Sequence, residues 1–166
     1  MLRFKLLFIV CVLLQACTDL NYMIEQSRES DIISYADKYV GMNENQDNGE
    51  LRKLLKVNPA YMEWCAAFVN AILHSQNIIG SEFYVENPYM ARSFLKWGEE
   101  TDNPLPGDIV VFPRGEPWEG HVGFFVASYE ENNIEYYIIL GGNQNDMVSY
   151  KKFEASTAIS VRRRTL

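Results

Sequence analysis

Apolar positions recur at helical spacing in the first hundred residues and in short dense runs afterwards, so the pattern predicts helices first and strands second. Ser30 or Asp31 can cap a first helix carrying Ile32, Ile33, Tyr35, Ala36 and Tyr39, ended by Gly41. A polar loop rich in turn formers follows over 42–49. Asn48 is placed to cap a short helix with Leu51, Leu54 and Leu55 on one side, closed before Asn58-Pro59. Trp64, Phe68, Ala71 and Ile72 form an apolar stripe that predicts a helix near Trp64–Ser75. Asn87-Pro88 then predicts another, carrying Met90, Phe94 and Trp97 and stopped by Gly98. Trp64, Phe68, Phe94 and Trp97 are expected in the core.

Beyond residue 100, Leu105-Pro106-Gly107-Asp108 reads as a turn leading into a buried strand at Ile109–Phe112. Val122–Tyr129 and Ile134–Leu140 around a polar turn predict an antiparallel hairpin, and Val148–Phe153 and Ile159–Arg163 supply the last strands. Helices segregated from strands indicate an α+β fold in which N-terminal helices pack on an antiparallel β-sheet of about five strands.

The N-terminus has a different pattern. Arg3 and Lys5 precede an apolar run from Leu6 to Leu14, which as a helix spans about 14 Å and is too short to cross a hydrocarbon core of about 30 Å. A basic start and a short apolar stretch predict an export signal. Leu14-Gln15-Ala16-Cys17 resembles a bacterial lipobox, with Gln15 departing from the usual small residue. The expected organisation is a lipoprotein signal peptide over 1–16, a lipidated Cys17 with a tether over 17–30, and one domain over 31–166. This places the protein in the bacterial cell envelope, lipid-anchored to a membrane and facing the periplasm or cell wall.

Composition narrows the function. The 166 residues carry a net charge of −7, and only Arg162, Arg163 and Arg164 cluster, so no nucleic-acid partner is expected. Three Cys and two His, with no CxxC and no HxxxH, leave too few ligands at useful spacing for a Cys/His zinc site. No metal and no cofactor is expected. Cys11 leaves with the signal and Cys17 would be acylated, so Cys65 is the one thiol remaining and has no disulfide partner.

Cys65 falls in the first turn of its helix, a position that favours the thiolate. His74 lies nine residues further along the same helix, about half a turn round and about 13 Å up the axis, so it cannot pair with Cys65. His121 remains, at the start of a strand between Gly120 and Gly123, where the chain allows close approach of a backbone or a substrate. Trp118 lies just upstream in a Gly/Pro-containing loop, where an exposed ring could stack on a sugar or peptide.

Five blocks together carry a resemblance: Trp64-Cys65-Ala66-Ala67-Phe68-Val69, Ala91–Gly98, Pro106–Phe112, Gly120-His121-Val122-Gly123-Phe124, and Leu140-Gly141-Gly142-Asn143-Gln144. In this order, from about Ile32 to Arg163, the chain resembles the CHAP amidase/peptidase family, which belongs with papain-like, NlpC-type cell-wall cysteine hydrolases. The resemblance implies a papain-like fold, Cys65 as nucleophile and His121 as general base and acid. A third polar residue would orient the imidazole, and Asn143 is the best match, with Gln144 and Asp146 as alternatives. Many family members carry Glu just before such an Asn, where this chain has Gly141-Gly142.

The implied function is a peptidoglycan hydrolase, either an N-acetylmuramoyl-L-alanine amidase or an endopeptidase, working through a thioester. Its partners would be peptidoglycan and, through the N-terminal lipid, a membrane. The backbone N–H of Cys65 would contribute to an oxyanion hole, with Tyr61 and its loop as the place to seek a second donor. The alternatives are a non-catalytic envelope lipoprotein, a binding or scaffolding module that keeps the fold, and a phage or effector lysis enzyme.

Overall fold

A computed structural model of the protein describes residues 31–165; the signal, Cys17 and the tether lie outside the described residues. Among these residues α1 spans Asp31–Asp37, α2 spans Asn48–Leu55 and α3 spans Cys65–Ser75. Six strands follow, β1 Glu99–Glu100, β2 Ile109–Pro113, β3 Gly120–Glu131, β4 Ile134–Gly141, β5 Ser149–Glu154 and β6 Ser160–Arg163. They form one sheet in the order β1-β6-β2-β3-β4-β5, with every neighbouring pair antiparallel. The α+β class holds. The sixth strand is the two-residue β1, which pairs with the outer end of β6 and is too short to leave a pattern in sequence.

One helix differs from the expectation. The stretch after Asn87-Pro88 forms a 3-10 helix over Ala91–Lys96 rather than an α-helix reaching Gly98. Buried polar groups hold this segment locally. Ser93 Oγ donates to Ser81 Oγ at 2.8 Å, and Asn70 Nδ2 donates to Ser81 Oγ and to the Pro88 carbonyl, both at 3.1 Å. These bonds tie the chain down at Pro88 and again at Ser93, and the residues between take the tighter helix. Phe94 and Trp97 are still buried, as their spacing predicts.

The two sheet faces bury different sets of side chains. Val111, Val122, Phe124 and Leu140 face the helices and pack with Trp64, Phe68 and Ile72. Val110, Phe112, Phe125, Ile139 and Val161 form a second layer on the opposite face, with Tyr137 and Phe153 against it. Burying each large apolar side chain stabilises the fold by about 1.5–3 kcal/mol, so the helix-side layer, with Trp64, Phe68, Phe94 and Phe124 fully buried, fixes α3 on β3. Turns follow their chemistry: Gly107 at φ +93° closes the turn in which Asp108 N donates to Leu105 O. Asn132 and Asn133, at φ +54° and +61°, make the tight connection of the β3–β4 hairpin.

The polar loop after Gly41 is a structural clasp. Glu44 N donates to Asp146 O at 2.9 Å, Val148 N to Met42 O at 3.0 Å and Gly41 N to Val148 O at 2.8 Å. The carboxylate of the same Glu44 accepts from Trp64 Nε1 at 2.7 Å. One residue therefore joins the segment before α3 to the turn between β4 and β5.

Candidate active site

Cys65 is the first residue of α3. Trp64 precedes it as the N-cap residue, and no side chain caps the helix, so the first-turn amides are not consumed by a cap. The thiol is nearly closed off, with Cys65 3% exposed. The backbone N–H groups of Val122 and Ala66 lie toward its sulfur and favour the thiolate. The first of these contacts follows from the sheet. Phe125 N donates to Asp108 O, so odd-numbered amides at this end of β3 face β2 and even-numbered ones face β4. β4 pairs with β3 only as far as Phe124 opposite Leu140. Val122, two residues nearer the strand start, presents its N–H where β4 has turned away, on the side of the sulfur.

Gly142 makes this approach possible. A Cβ there would lie 2.6 Å from Trp64 Cζ3 and 2.7 Å from Phe68 Cβ. Of the Gly141-Gly142 pair that departs from the family pattern, Gly142 is therefore the seat on which the N-terminal turn of α3 rests, while Gly141 lies against His121 and Gln144.

His121 is buried at the start of β3, paired with Phe112 of β2. Its ring stacks on Phe153 at 5.4 Å with planes 16° apart, and Phe153 stacks in turn on Phe112 at 4.4 Å. Nε2 lies 3.2 Å from Gln144 Oε1. The amide nitrogen of Gln144 is ringed by carbonyls, those of Gly141 at 3.3 Å, Ile139 at 3.4 Å and Ser149 closer still. Reversing the carboxamide would set its oxygen against three carbonyl oxygens, so Oε1 must face the ring. Gln144 Oε1 then accepts from Nε2–H and leaves Nδ1 as the basic nitrogen.

Asn143, the residue expected to hold the imidazole, donates from Nδ2 to Glu63 Oε2 at 2.7 Å, and the ring's hydrogen-bond partner in the structure is Gln144, one of the two alternatives. The physical reason is the left-handed backbone at Asn143, φ +56°, directly after the two glycines. It turns the chain so that the next side chain, one methylene longer, runs under the ring. Asp146 also takes a left-handed conformation and is exposed. Glu63 Oε2 further accepts from Arg114 Nη1 at 2.9 Å. Glu63, Arg114 and Asn143 thus bridge the three segments that carry Cys65, His121 and Gln144. Sequence reasoning missed Glu44, Glu63 and Arg114, which no spacing connects.

Electrostatics also differ from expectation. Burial pushes the Cys65 thiol above its ordinary pKa and outweighs the N–H groups of Val122 and Ala66 and the nearby Arg114, which favour the thiolate. Burial likewise lowers His121 to about 4; Gln144 opposes the shift, and Arg114 and Lys151 add to it. Both shifts favour the uncharged forms, a thiol and a neutral imidazole. No hydrogen bond joins Cys65 to His121 in this state. Such contacts commonly tighten only when substrate is bound.

The lowered His121 value has a stability consequence. Between pH 6.5 and about 4 the unfolded chain takes up a proton that the fold refuses, so stability present above 6.5 is lost as pH falls through that window. At about 1.4 kcal/mol per pKa unit the full effect is about 3 kcal/mol. Denaturant midpoints at pH 7 and 4.5 should fall further apart in the wild type than in His121→Gln. Equal falls in the two proteins would show that His121 does not carry the effect.

His74 lies away from the site, as its helix position requires; its Nε2 meets Glu82 Oε1 at 2.7 Å. Trp118 is 62% exposed on the loop between β2 and β3. That loop is fixed by Arg92 Nε donating to Glu119 O at 2.7 Å and Glu116 N donating to Glu119 Oε2 at 2.9 Å. Tyr61 is exposed, two residues before Glu63. Beside His121 opens a cavity of about 190 Å³, lined among others by Arg114, Asn143, Gln144, Lys151 and Phe153.

No curated protein is matched by the chain. A family model described as the CHAP domain matches residues 57–143, which take in Cys65, His121 and Asn143 and stop one residue short of Gln144. That match covers just over half of the 166 residues and agrees with the helices-on-sheet architecture. CHAP domains are in general amidases and peptidases, and this chain belongs to the CHAP domain family.

Proposed function

We propose that the protein cleaves an amide bond of peptidoglycan, as an N-acetylmuramoyl-L-alanine amidase or an endopeptidase, with Cys65 as nucleophile and His121 as general base and acid. The observation that carries this reading is the buried Cys65 at the uncapped N-terminus of α3, with its sulfur facing the backbone N–H of the residue next to His121. The His121 tautomer supports it, since Gln144 leaves Nδ1 free to accept a proton.

Starting from the neutral pair, Nδ1 takes the thiol proton as Sγ bonds to the amide carbonyl carbon. Amides of the first turn of α3 stabilise the oxyanion. The imidazolium protonates the leaving amine as the C–N bond breaks, and water, deprotonated by His121, then cleaves the thioester. Trp118, exposed beside the His121 strand, is suited to stack on the polymer.

A non-catalytic module has one observation in its favour, the missing Cys65–His121 hydrogen bond. Digestion decides between the readings. The full chain in detergent should release new fragments from purified peptidoglycan, whose masses identify the bond; unchanged muropeptides from several wall chemotypes would sink the hydrolase reading.

We also propose that Cys17 is lipidated and holds the domain at a bacterial membrane facing the wall. The lipobox-like Leu14–Cys17 supports this. Cys17→Ser should move the protein out of the membrane fraction, and unchanged partitioning would refute the anchor.

A further inference from the structure

The cavity beside His121 has a charge character opposite to that of the chain. The protein is acidic overall, with a net charge of −7, yet the charged side chains lining this cavity are Arg114 and Lys151, and no carboxylate lines it. Lys151 sits over the face of Phe153, 5.7 Å from the ring centroid, and forms no ion pair among the described residues. Its neighbour Lys152 is paired with Glu131 at 2.7 Å. Arg114 spends one nitrogen, Nη1, on Glu63 and keeps further N–H donors. Asn143 and Asn145 add neutral amides to the wall.

We infer that this cavity is a carboxylate subsite, in which Arg114 and Lys151 receive a free carboxylate of an acidic stem peptide beside the bond being cleaved. The inference rests on the amide-hydrolase reading above and names the part of the substrate that the site selects. Its size suits one side chain, since pockets for whole drug-sized ligands start at about 300 Å³. The chemistry has an internal precedent, because the Glu63 carboxylate already accepts from Arg114 Nη1 and Asn143 Nδ2. Glu63 and Arg114 are 70% and 45% exposed in their side chains, so their ion pair is weak and rearranges at little cost.

The two cations would otherwise work against the reaction. Both oppose a positive charge on His121, and the imidazole must carry one while it holds the thiol proton. A substrate carboxylate between them offsets that repulsion when the substrate is bound, and so couples recognition to the proton transfer.

Binding to the full chain carrying Cys65→Ala separates the subsite from turnover. Calorimetry at low salt with acetyl-L-alanyl-D-glutamic acid and with its diamide should show the acid binding at least about 5-fold more tightly. Adding Lys151→Gln should bring the two affinities together, whereas Lys152→Gln should keep them apart. Equal affinities for acid and diamide, a preference that survives Lys151→Gln, or tighter binding of inorganic phosphate than of the diacid would each overturn the subsite. If the wild type leaves peptidoglycan intact but the acid preference appears and is lost with Lys151→Gln, the subsite stands and the hydrolase reading falls.

Discussion

Replacing Cys65 by Ala is expected to lower peptidoglycan digestion by at least about 10³-fold, because it removes the nucleophile of the proposed mechanism. Stability changes by a separate route. The Val122 N–H, which β4 has left without a strand partner, faces the sulfur. Cys65→Ala leaves that buried amide unsatisfied, at a cost of about 1–3 kcal/mol. Cys65→Ser keeps an oxygen acceptor there and should recover part of the stability. Its hydroxyl is a far weaker nucleophile beside a neutral imidazole, so activity should not return. Fragment mass spectra give the activity and denaturant midpoints give the stability. Digestion that survives Cys65→Ala would remove Cys65 from the mechanism.

Gln144→Leu is expected to reduce kcat by about 10²-fold, the scale of losing the group that fixes a catalytic histidine. Leu roughly keeps the volume but offers Nε2–H no acceptor and the carbonyls of Ile139, Gly141 and Ser149 no donor. The ring can then take either tautomer. Asn143→Ala breaks the bond to Glu63 and should cost less than about 10-fold, as expected for a tie to a largely exposed carboxylate. Nitrogen chemical shifts of the imidazole supply a readout that simple destabilisation would not move: the wild type should show Nε2 protonated, and Gln144→Leu a mixture. A larger kcat loss in Asn143→Ala than in Gln144→Leu would return the orienting role to Asn143.

The contrast between these two neighbours shows what the sequence makes legible. The helical stripe through Trp64, Phe68 and Ile72 placed α3 and put Cys65 at its start, because burial of one face leaves a 3.6-residue period in the chain. Turn chemistry at Pro106-Gly107 and Asn132-Asn133 placed strand ends. Helix geometry separated His74 from Cys65. The run from Gly141 to Asp146 is different, since several of its residues tolerate a left-handed backbone, and Asn143, Asn145 and Asp146 all adopt one. Which side chain then points inward depends on how α3 presses on Gly142, a contact between residues far apart in the chain. The charge state of Cys65 was hidden for a similar reason. A helix N-terminus is visible in sequence, but the depth of burial that outweighs it is not.

The clasp at Glu44 bears on where this domain can be cut. The family match begins at residue 57 and ends at 143, yet Trp64 is held by Glu44 from before that interval, and His121 is held by Gln144 and flanked by Phe153 from after it. The smallest transplantable module therefore runs from the loop at Met42 through β5 at least. A chimera built from the matched interval alone would inherit Cys65 and His121 without the parts that hold them in place.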